Sequence, residues 1–343
     1  MRRPYLFFLS PIYALAVSIR NWLFDAGLLK SIRFGTPTLV IGNLSAGGSG
    51  KTPHTEYFLS LFIEKKCAVI SRGYGRKTKG FLWVESDSTA DFVGDEPLQM
   101  KKKYPHIPIA VCEDRVMAVP ELMEQFPETE LILFDDAFQH RYLNGKCQVL
   151  LSMYSDLFVD DTYLPGGNLR ESQMAAKRAD MVIVSKCPNN LNPSEMAILE
   201  EKLSRYTAAP VFFSRLEAEN AVFPLGNERQ SEELKEENMM VFSAIAGGSK
   251  WAESYRSLFK AKTGQLTYRD HHRFSIHDIR LLRKKWEALN KPLILTTEKD
   301  WMRLQQFQQE LDGLPLLYFP IFVKFLKDDI ALKKQLEFCL FQR

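Results

Sequence analysis

The chain has 343 residues, 45% of them hydrophobic and 25% charged, with a formal net charge of +3. That balance excludes a disordered chain, the small net charge argues against a nucleic-acid partner, and the length is that of two domains. Five cysteines (Cys67, Cys112, Cys147, Cys187, Cys339), none in a C-x-x-C pair, argue against a disulfide framework or structural zinc and for a reducing compartment.

Residues 1–34 stand apart. Pro4 to Ile19, "PYLFFLSPIYALAVSI", carry no charge, and Arg2, Arg3, Arg20, Lys30 and Arg33 against Asp25 give this segment a net +4. A signal peptide would explain the arginines, the apolar run and "ALA" at 14–16. A transmembrane helix needs about 20 apolar residues, and this run is shorter and holds Pro11. A helix packed in the core is a further alternative. The preferred reading is a helix at a membrane interface, with Trp22, Leu23 and Phe24 at the headgroup boundary and the basic residues against anionic lipid. Export would carry the loop described next into a nucleotide-poor compartment.

Residues 35–210 alternate strand and helix patterns. "TPTLVIGN" (36–43) reads as a buried strand, and Tyr57, Phe58, Leu61 and Phe62 mark a helix after it. Further strands are expected within 67–76, which ends in a glycine-rich turn, at 107–112, in the apolar run of 131–140 that ends in two aspartates, and at 147–153 and 180–186, with helices at 115–127 and 191–206. This alternation predicts an α/β fold with a mainly parallel sheet. Residues 211–237 read as a linker. A smaller α/β unit is expected over 238–343, with strands at 239–246, 266–270, 292–297 and 316–323 and helices at 250–261 and 276–289.

Between the first strand and first helix lies "SAGGSGKT": Ser45, Ala46, Gly47, Gly48, Ser49, Gly50, Lys51 and Thr52. It ends as a phosphate-binding loop, G-x-x-x-x-G-K-S/T, but starts with serine. Gly47, Gly48 and Gly50 let backbone N–H groups curl around phosphates at a helix N-terminus. Lys51 would reach the β and γ phosphates, and the Thr52 hydroxyl would ligate Mg²⁺. The alternative is a glycine-rich turn with a solvated lysine.

"LILFDDAFQH" ends an apolar run in Asp135 and Asp136, where such enzymes place a metal-holding aspartate; an exposed turn is the alternative. "VGDEP" sets Asp95 and Glu96 before Pro97, either a site or a helix cap. In "PGGNLRES", Arg170 and Glu171 form a phosphate contact or a structural ion pair. "YRDHHRF" gathers His271 and His272 beside Asp270, with no zinc-like spacing. A guanine-reading N-K-x-D element is missing: "VSKCP" has Lys186 but Pro188 in place of the aspartate, and "TTEKD" sets Lys299 directly before Asp300.

These stretches, with "VIGNLSAGGSGKTP", "SRGYGR" and "AIAGG", run in order from about residue 40 to residue 300. Together with the apolar basic N-terminus, the array resembles the tetraacyldisaccharide 4′-kinase (lipid A 4′-kinase) family, in which serine at the first loop position is ordinary. The resemblance implies two α/β/α sandwich domains, the larger P-loop-like, joined by a short β-linker. It implies transfer of the ATP γ-phosphate to the 4′-hydroxyl of a tetraacylated glucosamine disaccharide 1-phosphate, with Mg²⁺. It further implies a place peripheral to the cytoplasmic face of the inner membrane, with the lipid head in the cleft between domains; a monomer is the expectation. Carried over, Lys51 and Thr52 serve the phosphates and metal, Asp135 and Asp136 the metal and γ-phosphate. Asp95 is then the acceptor-side base, His271 its partner on domain closure, and Arg170 and Glu171 line the same cleft. A kinase for a soluble small molecule and a nucleotide-switched regulatory ATPase are the rival readings.

Overall fold

The computed structural model describes residues 4–225, 233–245, 248–327 and 329–342. Residues 226–232 of the expected linker and Ala246–Gly247 of "AIAGG" lie outside them. After a helical turn over Pro4–Leu9, α1 (Ser10–Asp25) opens the chain. Pro11 sits in its first turn, where no intrahelical N–H is needed, so it does not break the helix. The continuous segment Tyr5–Asp25 is 21 residues long and apolar enough to cross a membrane by length and composition. It exceeds the uncharged run Pro4–Ile19 because it takes in Arg20 and Asp25.

The larger sheet contains β1 (Thr38–Asn43), β2 (Cys67–Ser71), β3 (Leu82–Trp83), β4 (Ile109–Val111), β5 (Leu131–Phe134), β6 (Cys147–Met153), β7 (Met181–Ser185) and β8 (Val211–Ala218). The smaller contains β9 (Asn238–Ser243), β10 (Ala261–Thr267), β11 (Leu293–Leu295) and β12 (Leu316–Leu317), in the order β10-β9-β11-β12, all parallel. The chain then returns: β13 (Ile321–Phe325) pairs antiparallel with β8 at the edge of the larger sheet. The larger sheet therefore runs β13-β8-β7-β6-β1-β5-β2-β4-β3, parallel from β8 to β4.

Side-chain alternation along β1 explains the layers. Leu39 and Ile41 face α2 (Lys51–Leu61), α3 (Ala90–Val93) and α4 (Asp95–Lys103); Val40 faces α5 (Arg115–Gln125) and α6 (Pro193–Ser204). In the smaller sheet Met239 and Val241 pack on α7 (Gly248–Glu253), while Met240 and Phe242 pack on α8 (Ile276–Ala288) and α9 (Glu298–Leu304). The latter core is continuous with the Leu39–Ile41 face. A short α10 (Gln308–Leu311) precedes β12, and α11 (Asp329–Glu337) closes the chain against the larger sheet through Leu332 and Leu336.

Three expectations about the C-terminal part need correction. The helix expected over 250–261 ends at Glu253, and the strand expected at 266–270 spans Ala261–Thr267. Pairing with β9 prevails there over local composition, with a bulge between Lys262 and Gly264. The strand expected over 316–323 is split at Phe319–Pro320, because β12 and β13 belong to different sheets. Residues 321–327 and 329–342, assigned to the smaller unit from sequence, thus lie on the larger one. The β-linker has two arms, β8 outward and β13 back. At the start of β6 and just before β7, the sulfurs of Cys147 and Cys339 and a carboxylate oxygen of Asp180 come within 4.8 Å of one another, a proximity no spacing reveals.

Candidate active site

The central strand β1 delivers the glycine loop. Gly42, near its end, has no room for a Cβ, which would stand 2.6 Å from Phe138 Cβ; this close approach lays the "DDAFQ" turn against β1. Gly50 caps α2 with φ +81°, a left-handed conformation that glycine tolerates. The first turn of α2 therefore begins at Lys51, with its free N–H groups at the loop. The loop is braced from outside: Ala46 N–H donates to the Asn168 carbonyl at 2.7 Å, and the Ser185 hydroxyl donates to the Ser49 carbonyl at 2.8 Å. His54, fully buried one turn into α2, donates from Nδ1 to the Gly50 carbonyl at 2.7 Å and accepts from the Ser214 hydroxyl at 2.9 Å. Burial lowers its pKa to about 4, so it is neutral. The Ser45 and Ser49 hydroxyls are buried with no hydrogen-bond partner among the described residues, and Thr52 is buried beside them.

Asp135 follows β5, the parallel neighbour of β1. It is 1% exposed; Thr55 donates to its Oδ1 at 3.0 Å, and Oδ2 has no partner among the described residues. Burial, then the charges of Glu96 and Asp136, push its pKa up to about 7. Asp136, at φ +50°, lies 3.7 Å from the Lys51 ammonium and 4.0 Å from the Arg170 guanidinium. Arg170 also donates to Gln139 at 3.0 Å and to Asn43 at 3.4 Å. Glu171 turns elsewhere: only 1% exposed, it accepts from Arg20 of α1 at 2.5 Å and from Arg178 at 2.6 Å. The structure thus brings Arg170, but not the Glu171 carboxylate, to the loop.

A second cluster joins the two units. α4 starts at Asp95 with Gly94 as its cap residue; Asp95 Oδ1 accepts from the Glu96 N–H at 2.9 Å, and Oδ2 faces the smaller unit. His271 Nδ1 lies 3.6 Å from Asp95, Arg303 Nε 3.4 Å and Lys299 Nζ 3.9 Å. Burial alone would raise the Asp95 pKa, but His271, Lys299 and Arg303 outweigh it and hold it below the usual carboxylate range. Lys299 also donates to Glu96 at 2.9 Å and stands 3.5 Å from His271 Nε2. His271 is held at φ +57° with its ring against Tyr74, centroids 4.8 Å apart, and Arg273 donates to the Gly75 carbonyl. "SRGYGR" is thus the platform for "DHHRF". His272 is engaged elsewhere, stacked on Tyr268 and bonded to Asp278 at 3.2 Å.

Of the "VGDEP" pair, the resemblance carried over only Asp95, and neither Lys299 nor Arg303 was singled out as a site residue from sequence. Their signal was present: Thr297 caps α9 and accepts from Asp300 N–H, and Lys299 and Arg303 follow at i, i+4 spacing, on one face.

The family described as "Tetraacyldisaccharide-1-P 4'-kinase" matches residues 2–340. A tetraacyldisaccharide 4′-kinase of Flavobacterium psychrophilum is 38% identical over 338 residues, 97% of this chain and 96% of that protein. One from Bacteroides fragilis is 40% identical over 331 residues, 93% of this chain and 88% of that protein. A crystal structure of LpxK from Aquifex aeolicus in complex with ATP superposes with a TM-score of 0.77 at 28% identity, covering 98% of this chain and 99% of that one. On this agreement of motif order, site geometry and whole-length similarity, the chain belongs to the tetraacyldisaccharide-1-P 4′-kinase family.

Proposed function

We propose that this enzyme transfers the γ-phosphoryl group of ATP to the 4′-hydroxyl of a tetraacylated glucosamine disaccharide 1-phosphate, giving the lipid IVA precursor of lipid A. The observation that carries this reading is the approach of Asp95 and His271, from different α/β units, beside a glycine loop with its own acidic pair. Phosphoryl transfer needs positioning and charge neutralisation more than covalent help. The loop N–H groups, the α2 dipole and Lys51 would hold the phosphate chain, and Arg170 would face its outer oxygens. The buried, unpaired Asp135 Oδ2 and the two adjacent carboxylates fit a divalent cation. Thr52, Asp135 and Asp136 would hold Mg²⁺, which when bound neutralises phosphate charge.

Asp95 orients the acceptor hydroxyl and takes its proton late. A carboxylate held below the usual range is a weak base, which suits a loose transition state in which the nucleophile needs little activation. His271 keeps that carboxylate aimed and can share the proton. Lys299–Glu96, Arg273–Gly75 and Lys103–Glu298 at 3.0 Å all link the two units, so closure would assemble the acceptor side while excluding water.

The lipid acceptor accounts for the exposed apolar face of α1. Ile12, Leu15, Ile19 and Trp22 are 50–68% exposed, while Ser10, Tyr13, Val17 and Phe24 lie on the docked face. Such a face lies in the headgroup boundary, with ATP reached from the cytoplasmic side of the inner membrane by a peripheral, monomeric chain. The deciding experiment is a radiolabelled-ATP transfer assay with and without the tetraacylated disaccharide 1-phosphate. Label should appear in the lipid; label on a water-soluble acceptor alone, or slow hydrolysis with no acceptor, would overturn the reading.

A further inference from the structure

The motif the phosphate site leaves unused is "VSKCP" (184–188). Lys186 follows directly on β7 with φ +57°. Its ammonium stands over the loop, 4.0 Å from where a Cβ on Gly48 would be. The residues on either side are tied down: Ser185 donates to the Ser49 carbonyl, and Cys187 N–H donates to the Ser214 carbonyl at 2.9 Å. Among the described residues no carboxylate pairs with Lys186. The surrounding protein first, and the Lys51 charge second, lower its pKa. A cation held toward another cation without an acid is a site that expects oxygen atoms from a ligand.

Topology says which end of the ligand that is. The sheet order is β7-β6-β1-β5. Asp135 and Asp136 follow β5, on one side of the loop strand; Lys186 follows β7, on the other. A nucleotide whose γ-phosphate points toward Asp136 and Asp95 directs its nucleoside toward β7. Lys186 keeps part of its surface open on that side, so its four-carbon stem offers an aliphatic face toward that end of the cleft.

We propose that Lys186 builds the nucleoside end of the nucleotide site, its stem lying along the purine face and its ammonium donating to the ribose. This rests on reading the loop as the ATP site. Pro188 stands where a guanine-reading aspartate would, so the base is accepted by its face rather than read at its edge, and adenine and guanine nucleotides lose equally when Lys186 is removed.

The test is calorimetric binding of ATP, GTP and inorganic tripolyphosphate to the full-length protein in detergent, alongside steady-state kinetics. Lys186→Ala should weaken ATP and GTP about tenfold and leave tripolyphosphate within about twofold. KM for ATP should rise with kcat and the lipid KM unchanged, and Lys186→Arg should restore binding. Equal loss for tripolyphosphate would make Lys186 a phosphate ligand and overturn the proposal. So would unchanged ATP affinity in Lys186→Ala where Lys51→Ala loses it. If Lys51→Ala also leaves ATP affinity unchanged, the ATP-site reading itself fails and the proposal with it.

Discussion

Arg20 of α1 donates to the buried carboxylate of Glu171 at 2.5 Å, and Arg178 donates to its other oxygen at 2.6 Å. The next residue back, Arg170, faces the loop and offers its carbonyl to the Tyr13 hydroxyl at 3.1 Å. The exposed N-terminal helix is therefore fastened to the segment that aims a cation at the phosphate loop.

Removing either arginine leaves Glu171 one partner; removing both strands a buried charge. Arg20→Ala and Arg178→Ala should each cost about 1–2 kcal/mol, and the pair more than their sum, about 3–5 kcal/mol. A urea-denaturation double-mutant cycle measures this. Adding Glu171→Gln should relieve the excess; strict additivity would show that Glu171 is hydrated rather than buried.

Asp135 gives a pH-dependent signature. Its folded pKa of about 7 lies above the ordinary 3.8, so the folded metal-free protein holds an extra proton between those values. Stability from this group is therefore greatest at low pH and falls as pH rises from about 4 to 7. Asp135→Asn should stabilise the metal-free enzyme at pH 8 and far less at pH 5, while abolishing kinase activity. Calorimetric melting at the two pH values checks it.

His54 works in the opposite direction. Its folded pKa of about 4 lies below the ordinary 6.5, so its contribution is complete above pH 6.5 and is lost as pH falls toward 4. His54→Ala leaves the Gly50 carbonyl and Ser214 hydroxyl without this partner and should cost about 1–3 kcal/mol. It should also raise KM for ATP more than KM for lipid, because Gly50 caps the phosphate-binding helix.

Asp95→Asn keeps the size of the side chain but removes the charge that Lys299, Arg303 and His271 surround. It should lower kcat by about two to four orders of magnitude with ATP affinity nearly unchanged. Lys299→Met should lower kcat less and shift the acid limb of the pH–rate profile upward, since a cation that favours the ionised carboxylate is lost. An unmoved profile would leave Lys299 as a mere tether between the units.

On α1, Leu15→Asp with Ile19→Asp should release the protein from anionic vesicles in a flotation assay without altering its melting temperature, because both side chains are exposed. Substitution of Tyr13, on the docked face, should lower the melting temperature instead.

The sequence by itself settled what depends on local pattern. The β-branched run, glycines and helical spacing over 37–62 determine a strand, loop and helix; the acidic pair after "LILF" marks the neighbouring strand. Ordered motifs mark the family. Only tertiary structure could decide the rest. The alternation of exposed and docked positions along α1 exists because Ser10, Tyr13, Arg20 and Phe24 find partners on a segment more than a hundred residues away. The return of β13 to the larger sheet depends on an edge that β8 leaves open. The choice of His271 over His272 at Asp95 depends on a left-handed backbone and on Tyr268 and Asp278 occupying its neighbour. Lys299 and Lys186 reach the site only because separate strands and helices converge on one loop, and such convergence leaves no spacing in the chain to read.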